Sequence, residues 1–374
     1  MTAEHVLWSV LGLIIIAIVF YDLFQTVVLP RPSVGRVQLA RKVVRPMWSM
    51  WRWVSQRTSR LERSESRLAA FAPIALLTLF FIWAFALVVG YGLVLDGLAE
   101  QIRPAPQDLI TTIYISASTL VPLAYGDFVP EGGLARLVII AESATGVGLA
   151  ALAITLLFSL YESFRAREEL VVSLDAMAGA PPSGVQLLET AAKHGMLPEL
   201  TSTFDEWRAW SAMVLESHLA YPLLIYFRSS HDNEAWINSF GAVMDAAILI
   251  ISTVKDGSEG PARLMYKVGS HLVEDMNWVF RFKASNDPIV EHAEYQAAVE
   301  RLVKAGYKVR DVEAGWKQFG ELRSIYATPL NQMAIWLAIP PAEWIGDRSY
   351  LPHRKRSTRL PVARPGATEA KSAN

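Results

Sequence analysis

Few residues of this chain have side chains suited to chemistry, and two of the most telling lie inside apolar runs. Asp22 falls within the run 6–29 and Glu142 within the run 134–161. A carboxylate in such a place serves a proton or ion path, or it is held in a structural pair. Asp22 lies about 10 Å inside the end of its run, too deep for a short side chain to reach water. Glu142 sits in the outer half of its run. It could line a cavity and gather cations, or hydrogen-bond behind a neighbouring segment and brace it; both readings stay open. The densest polar cluster is Glu216, His218, Arg228, His231 and Asp232. It is a candidate ligand site, with buried hydrogen-bonded histidines and surface ion pairs as the alternative. His271 and Asp275 are one helical turn apart, a spacing that can bind a metal, but no further ligand closes the set. There is no Gly-rich phosphate loop, no G-x-S-x-G and no H-E-x-x-H. The chain has no cysteine, which excludes disulfides, cysteine nucleophiles and cysteine zinc sites. No cofactor, no metal and no enzymatic activity are expected.

The elements that position these residues are set by hydropathy. Apolar residues make up 52% of the 374 residues, high for an ordinary soluble chain. Residues 6–29, 68–95 and 134–161 are each long enough to cross a hydrocarbon core of about 30 Å. The N-terminal run lacks the basic start of a cleavable signal and reads as a retained span. Residues 108–121 are moderately apolar and too short to span, which suits a re-entrant half-helix. The expectation is an all-α membrane protein with three transmembrane helices, a re-entrant pore helix with its loop, and a helical cytoplasmic domain.

Loop charge sets the orientation. Residues 31–67 hold ten Lys/Arg against two acidic residues, whereas 96–133 hold one Arg against five acidic residues. The positive-inside rule puts the first loop in the cytoplasm and the second outside, with the N-terminus outside and the C-terminus inside. Met47-Trp-Ser-Met-Trp-Arg-Trp53, with Arg41, Lys42, Arg45, Arg52 and Arg57, looks interfacial. Tryptophan suits headgroup depth and arginine suits anionic lipid; an ordinary basic loop lying on the membrane is the alternative. Net charge is −1, so no overall field points to nucleic acid.

The chain divides into an N-terminal span (1–30), a basic juxtamembrane segment (31–67), a pore domain (68–178), a helical cytoplasmic domain (185–346) and a basic tail (347–374) whose composition predicts disorder. The third run continues as a helical pattern to about Met177, where Gly179-Ala-Pro-Pro-Ser-Gly184 breaks it. Residues 243–254 are apolar but short, fitting a buried core helix. Trp207, Trp210, Trp236, Trp278 and Trp316 read as core and interface anchors.

Between the second and third runs, Tyr114-Ile-Ser-Ala-Ser-Thr-Leu-Val-Pro-Leu-Ala-Tyr-Gly-Asp127 resembles the pore helix and selectivity filter of potassium channels of the two-helix pore type. Tyr114, Ser116, Thr119, Leu120, Tyr125, Gly126 and Asp127 fall on the family pattern without a gap. Pro130, Arg136, Glu142 and Gly146 keep the spacing of bacterial members. The resemblance covers about residues 68–170. It implies a filter at Pro122, Leu123, Ala124, Tyr125, Gly126 and Asp127, a pore helix carrying Ser116 and Thr119, and an inner helix with a hinge at Gly146. It implies monovalent cations, K+ or Na+, in the pore of a homotetramer in the bacterial cytoplasmic membrane. Gly146 and Gly148 also suit close helix packing. Phe158, about three turns further on, is a candidate hydrophobic gate.

Such a filter works by replacing an ion's water with rings of backbone carbonyls. The pore helix aims its negative C-terminal dipole end at the cation path. Two positions depart from the family. Pro122 stands where Thr is usual, removing a hydroxyl from the innermost ion ring. Ala124 stands where Gly is usual; in a left-handed conformation it costs about 1–2 kcal/mol per chain. Leu123 replaces the usual Val. Three readings follow: conduction with weakened K+ selectivity, an intact potassium channel, or a non-conducting relative that serves as a sensor or scaffold.

Overall fold

The computed structural model describes residues 3–28, 39–57, 61–123, 125–229, 235–255, 257–282, 285 and 287–346, leaving aside the side chains of residues 3–4, 28, 39–41 and 61–64. Ala124, His231, Asp232 and the 347–374 tail, all singled out above, lie outside the described residues. The chain folds as two compact units, one of Met1–Trp51 and Ala70–Glu162, the other of Arg52–Ala69 and Ser163–Asn374.

Six helices run in order from the N-terminus. They are α1 (Ala3–Leu23, extended by a π-helical turn Phe24–Val28), α2 (Leu39–Gln56), α3 (Leu61–Ala69), α4 (Phe71–Asp96), α5 (Leu109–Leu120) and α6 (Gly133–Ala178). Three stretches are long and apolar enough to cross a membrane: His5–Val27, Glu65–Asp96 and Gly133–Ala178. With α5 at 12 residues, the protein is an all-α membrane protein of three spans and a short helix between the last two.

In the first unit α1 packs along α4. Glycine permits the approach: a Cβ at Gly12 would lie 2.4 Å from the Gly90 carbonyl oxygen. Small residues at such a seam let two backbones close on each other, the usual basis of helix association in lipid. Polar bonds pin both ends. Trp83 Nε1 donates to Asp22 Oδ2 at 2.8 Å, and His5 Nδ1 lies 3.2 Å from Asp96 Oδ2. Asp22 is buried, so the carboxylate inside the first span is held by the second span, as a structural pair would be.

The excursion between α4 and α6 is closed by a two-residue antiparallel ladder, β1 (Ile102–Arg103) against β2 (Val129–Pro130), pairing Ile102 with Pro130 and Arg103 with Val129. Beneath it Leu95, Ile102, Ile115 and Ala135 form a small buried core. That core ties the end of α4, the middle of α5 and the start of α6 together.

In the second unit the C-terminal end of α6 is followed by α7 (Gly184–Lys193), α8 (Leu200–Ala220), α9 (Trp236–Ser252), α10 (Glu259–Phe280), α11 (His292–Lys304), α12 (Val312–Ser324) and α13 (Ala327–Trp336). Every residue of α9 is buried. Its 17 residues, covered on every side by the chain itself, serve as the axis of a helical core. Trp207, Trp210 and Trp236 are buried in that core, whereas Trp278 is 61% exposed.

One polar group sits in the middle of α9. Asp245 accepts from Arg323 Nε at 2.9 Å and from Tyr326 OH at 2.5 Å. Arg323 also donates to the carbonyls of Trp344, at 2.6 Å, and Pro288. Asp245, Arg323 and Tyr326 are all fully buried. Removing one member of a buried pair leaves the other charge uncompensated. Arg323→Met should therefore destabilise the second unit by about 3–5 kcal/mol, and adding Asp245→Leu should recover most of the loss. Denaturant unfolding of the two variants checks this.

Candidate functional site

The site is built from the C-terminal end of α5 and the loop after it. The N-terminus of α5 is fixed by Asp108, whose carboxylate accepts from Thr111 N and Thr111 Oγ1, each at 2.7 Å. Its last turn is tightened by hydroxyls: Ser118 and Thr119 each donate to the Ile115 carbonyl, at 2.9 and 2.8 Å. Beyond Leu120 the chain turns, with Leu123 N donating to the Ser118 carbonyl at 2.8 Å. Gly126 has φ +78, left-handed backbone that glycine takes at no steric cost. Asp127 Oδ2 then accepts from Tyr114 OH at 2.8 Å. The loop thus leaves the end of α5, runs through Tyr125 and Gly126, and is tied back to the α5 helix one bond later. Pro122, Leu123, Tyr125, Gly126 and Asp127 are exposed in the single chain.

What holds α5 from behind is α6. Ser143 Oγ donates to the Thr119 carbonyl at 3.3 Å. A Cβ at Gly146 would lie 1.9 Å from the Leu120 carbonyl oxygen, so only glycine lets α6 pass this helix end. Gly148 has open space around it. Glu142 is buried and bonds to Ser116, whose hydroxyl also lies 2.8 Å from the Val88 carbonyl of α4. This contact braces α5 from behind: α4, α5 and α6 meet at the Ser116 hydroxyl. The second carboxyl oxygen, Oε2, has no hydrogen-bond partner. Phe158, further along α6, is 70% exposed. Arg136 Nε donates to the Pro130 carbonyl at 3.1 Å and holds the corner between β2 and α6.

Residues 74–163 match the family model described as "Ion channel". The match begins within α4 and ends within α6, so it takes in the half-helix, the loop and both flanking spans. The chain is also 23% identical, over 207 residues, to the "Uncharacterized membrane protein YdjJ" of Bacillus subtilis (strain 168). That alignment covers 54% of this chain and 59% of the relative, so the chain spans little more than half of that protein's length. No solved structure matches.

Of the polar cluster of the second unit, three members fall among the described residues: Glu216, His218 and Arg228. Glu216 is exposed while His218 is buried. Arg228 turns elsewhere, pairing with Glu65 and donating to the Leu337 carbonyl at 2.8 Å. His271 and Asp275 form a surface pair at 3.3 Å. Among the described residues no group of three His, Asp or Glu is arranged to hold a metal ion.

His218 instead packs beside Arg167, which the sequence reading passed over. Arg167 lies on α6 and is fully buried. Its guanidinium bonds Glu168 Oε1 at 2.9 Å and the carbonyls of Leu224 and Phe227 at 3.1 and 2.7 Å, with His218 Nε2 3.4 Å away. Trp210 Nε1 donates to the Arg167 carbonyl at 2.9 Å. Leu160, Val171, Leu174 and Ala178 share its buried stripe. An arginine at helical spacing among such residues was the legible signal.

Burial, and then the neighbouring Arg167 charge, push the His218 imidazole down to about 3. The unfolded chain therefore takes up this proton first as pH falls. The stability contributed by neutral His218 is complete above about pH 6.5 and is lost between there and the folded value. At pH 5.5 the loss is about 1.4 kcal/mol. Melting curves near neutrality and near pH 5.5 should show this difference, and His218→Gln should remove that part of the slope.

The brace generates a second prediction. A glutamine at 142 can still bond the Ser116 hydroxyl, whereas alanine leaves that group without this partner, at about 1–3 kcal/mol per chain. Glu142→Gln should keep the wild-type thermal stability of the detergent-solubilised protein, and Glu142→Ala should lower it.

Proposed function

We propose that this protein is a cation channel: four copies surround one pore, and monovalent cations, K+ or Na+, pass along the carbonyls of residues 122–127. One observation carries the reading: the 74–163 match to the ion-channel family coincides with a span, a half-helix, a returning loop and a span. Backbone of this irregular kind is tolerated at membrane depth where it lines a wet cavity. One such segment per chain cannot close a ring, which is the reason for four. The apolar side of α6 that neighbours would cover is bare in the single chain, with Leu137, Ile140, Val147, Ile154 and Phe158 exposed.

In this reading selectivity for K+ is weak. Pro122 offers a carbonyl but no hydroxyl to the innermost ring, and Ala124 replaces the glycine usual in such filters. The gate is Phe158 and the bend is at Gly146–Gly148. Because Gly146 also touches the Leu120 carbonyl, motion of α6 there reaches the pore helix directly. The second unit gates or assembles the pore through the cytoplasmic end of α6. The loop charges favour a bacterial cytoplasmic membrane with the N-terminus outside.

Bilayer recording under opposed K+ and Na+ gradients tests this. A reversal potential near zero is the expected outcome, and Pro122→Thr with Ala124→Gly should shift it toward the K+ equilibrium value. Silence from verified tetramers in several lipid mixtures and at several pH values would overturn conduction. It would leave a membrane sensor or scaffold, a reading favoured by the lost hydroxyl at Pro122.

A further inference from the structure

The helix α2 has two unlike sides. One is packed: Val44, Trp48 and Ser55 are buried, and the Trp48 ring meets Phe71 edge-on at 4.9 Å. The other is open. Lys42, Arg45, Ser49, Met50, Trp53, Val54 and Arg57 are all exposed and recur at three- and four-residue spacing, which lays them along one helix face.

The open face has a definite chemistry. Met50, Trp53 and Val54, 62%, 54% and 47% exposed, form its apolar centre. Lys42 and Arg45 lie toward one end and Arg57 toward the other, with the Arg57 guanidinium 3.4 Å above the Trp53 ring. No residue of α2 is acidic. An apolar strip with tryptophan at its middle suits the boundary between headgroups and acyl chains. Cations at both ends of such a strip, with no acid among them, suit a surface of negative charge. Between two spanning segments α2 cannot leave the membrane surface, so the occupant is already at hand.

We infer that the exposed face of α2 is a docking surface for anionic phospholipid headgroups, with Met50, Trp53 and Val54 sunk at the acyl boundary and Lys42, Arg45 and Arg57 on the phosphates. The packed edge gives the contact a route inward. Arg52, half-buried on the same helix, donates to the Trp336 carbonyl at 2.9 Å, at the C-terminal end of α13. A shift of α2 in the lipid therefore pulls on a helix end of the second unit. The inference needs the protein to span a membrane and does not need it to conduct.

The absence of native cysteine makes the test direct. Full-length Val54→Cys protein, carrying an environment-sensitive fluorophore, is reconstituted in phosphatidylcholine vesicles with and without phosphatidylglycerol. The expected result is bluer emission and stronger quenching by lipid-borne nitroxide when phosphatidylglycerol is present, weakened by salt. Lys42→Gln with Arg45→Gln and Arg57→Gln should abolish the difference, and Lys42→Arg with Arg45→Lys and Arg57→Lys should retain it. Three cations near an anionic surface correspond to preference on the order of a hundredfold. Equal emission in the two vesicle types, or a difference that survives loss of the three cations, would overturn the inference. So would glycerol phosphate added to phosphatidylcholine vesicles reproducing the effect, since the face would then bind free phosphate rather than a lipid.

Discussion

A helix end meeting a glycine is the contact on which the first unit depends. Irregular backbone at membrane depth has no water to satisfy it from outside, so it must be held by the protein around it. Here the holding is done at the last turn of α5, where the Thr119 carbonyl takes a bond from Ser143 and the Leu120 carbonyl abuts Gly146. Any side chain at Gly146 would push α6 off that turn. The close approach in turn sets where Glu142 lies and lets it reach Ser116. The loop from Pro122 to Asp127 inherits its position from this seam, and the Tyr114–Asp127 bond fixes its far end. A hinge role for Gly146 and this packing role are not rivals. A helix that bends where it touches the pore helix couples the two motions in one place.

Much of this was legible because the bilayer restricts what a sequence can mean. Three long apolar stretches and one short one leave little choice of architecture, and the spans lie close to where hydropathy puts them. The Asp22 pair was legible in kind, since a buried carboxylate needs a partner, but not in identity. Nothing in the sequence marks Trp83, rather than another donor, as the group one helix away. Glu142 was ambiguous for the same reason. Lining a cavity and bracing a helix both want a carboxylate on α6, and only the rotation of α6 about its axis distinguishes them. That rotation is set by Gly146 packing, a contact between residues 26 apart in sequence whose meaning is steric and leaves no trace in polarity.

In the second unit, two residues of the candidate cluster part company within one helix. Glu216 and His218 are two apart, which on a helix sends them to different faces, and Arg228 follows after the helix has ended. The groups that do meet come from far apart: Asp245 with Arg323 and Tyr326, and Arg167 with His218 and the carbonyls of Leu224 and Phe227. Both are arginines used as fork-shaped donors to buried acceptors, the use to which the planar guanidinium is suited. Each costs desolvation and is retained because its removal would leave several acceptors unsatisfied. Such networks fix one packing of an otherwise uniform apolar core.

In the proposed channel, architecture and selectivity rest on different parts of the chain. The architecture follows from side chains behind the loop: Ser116, Thr119, Glu142, Ser143 and Gly146 work whether or not an ion passes. Selectivity follows from the loop's own backbone, where one hydroxyl or one Cβ alters the ring an ion meets. Pro122 and Ala124 lie in the second set and leave the first untouched. A chain can therefore keep every brace of a pore while losing the ring that chooses among ions. The braces are costly to change, because Ser116, Glu142 and Gly146 are buried where the helices meet. Pro122, Leu123, Tyr125, Gly126 and Asp127 are exposed in the single chain. For that reason the match to ion channels carries the fold further than it carries the choice of ion.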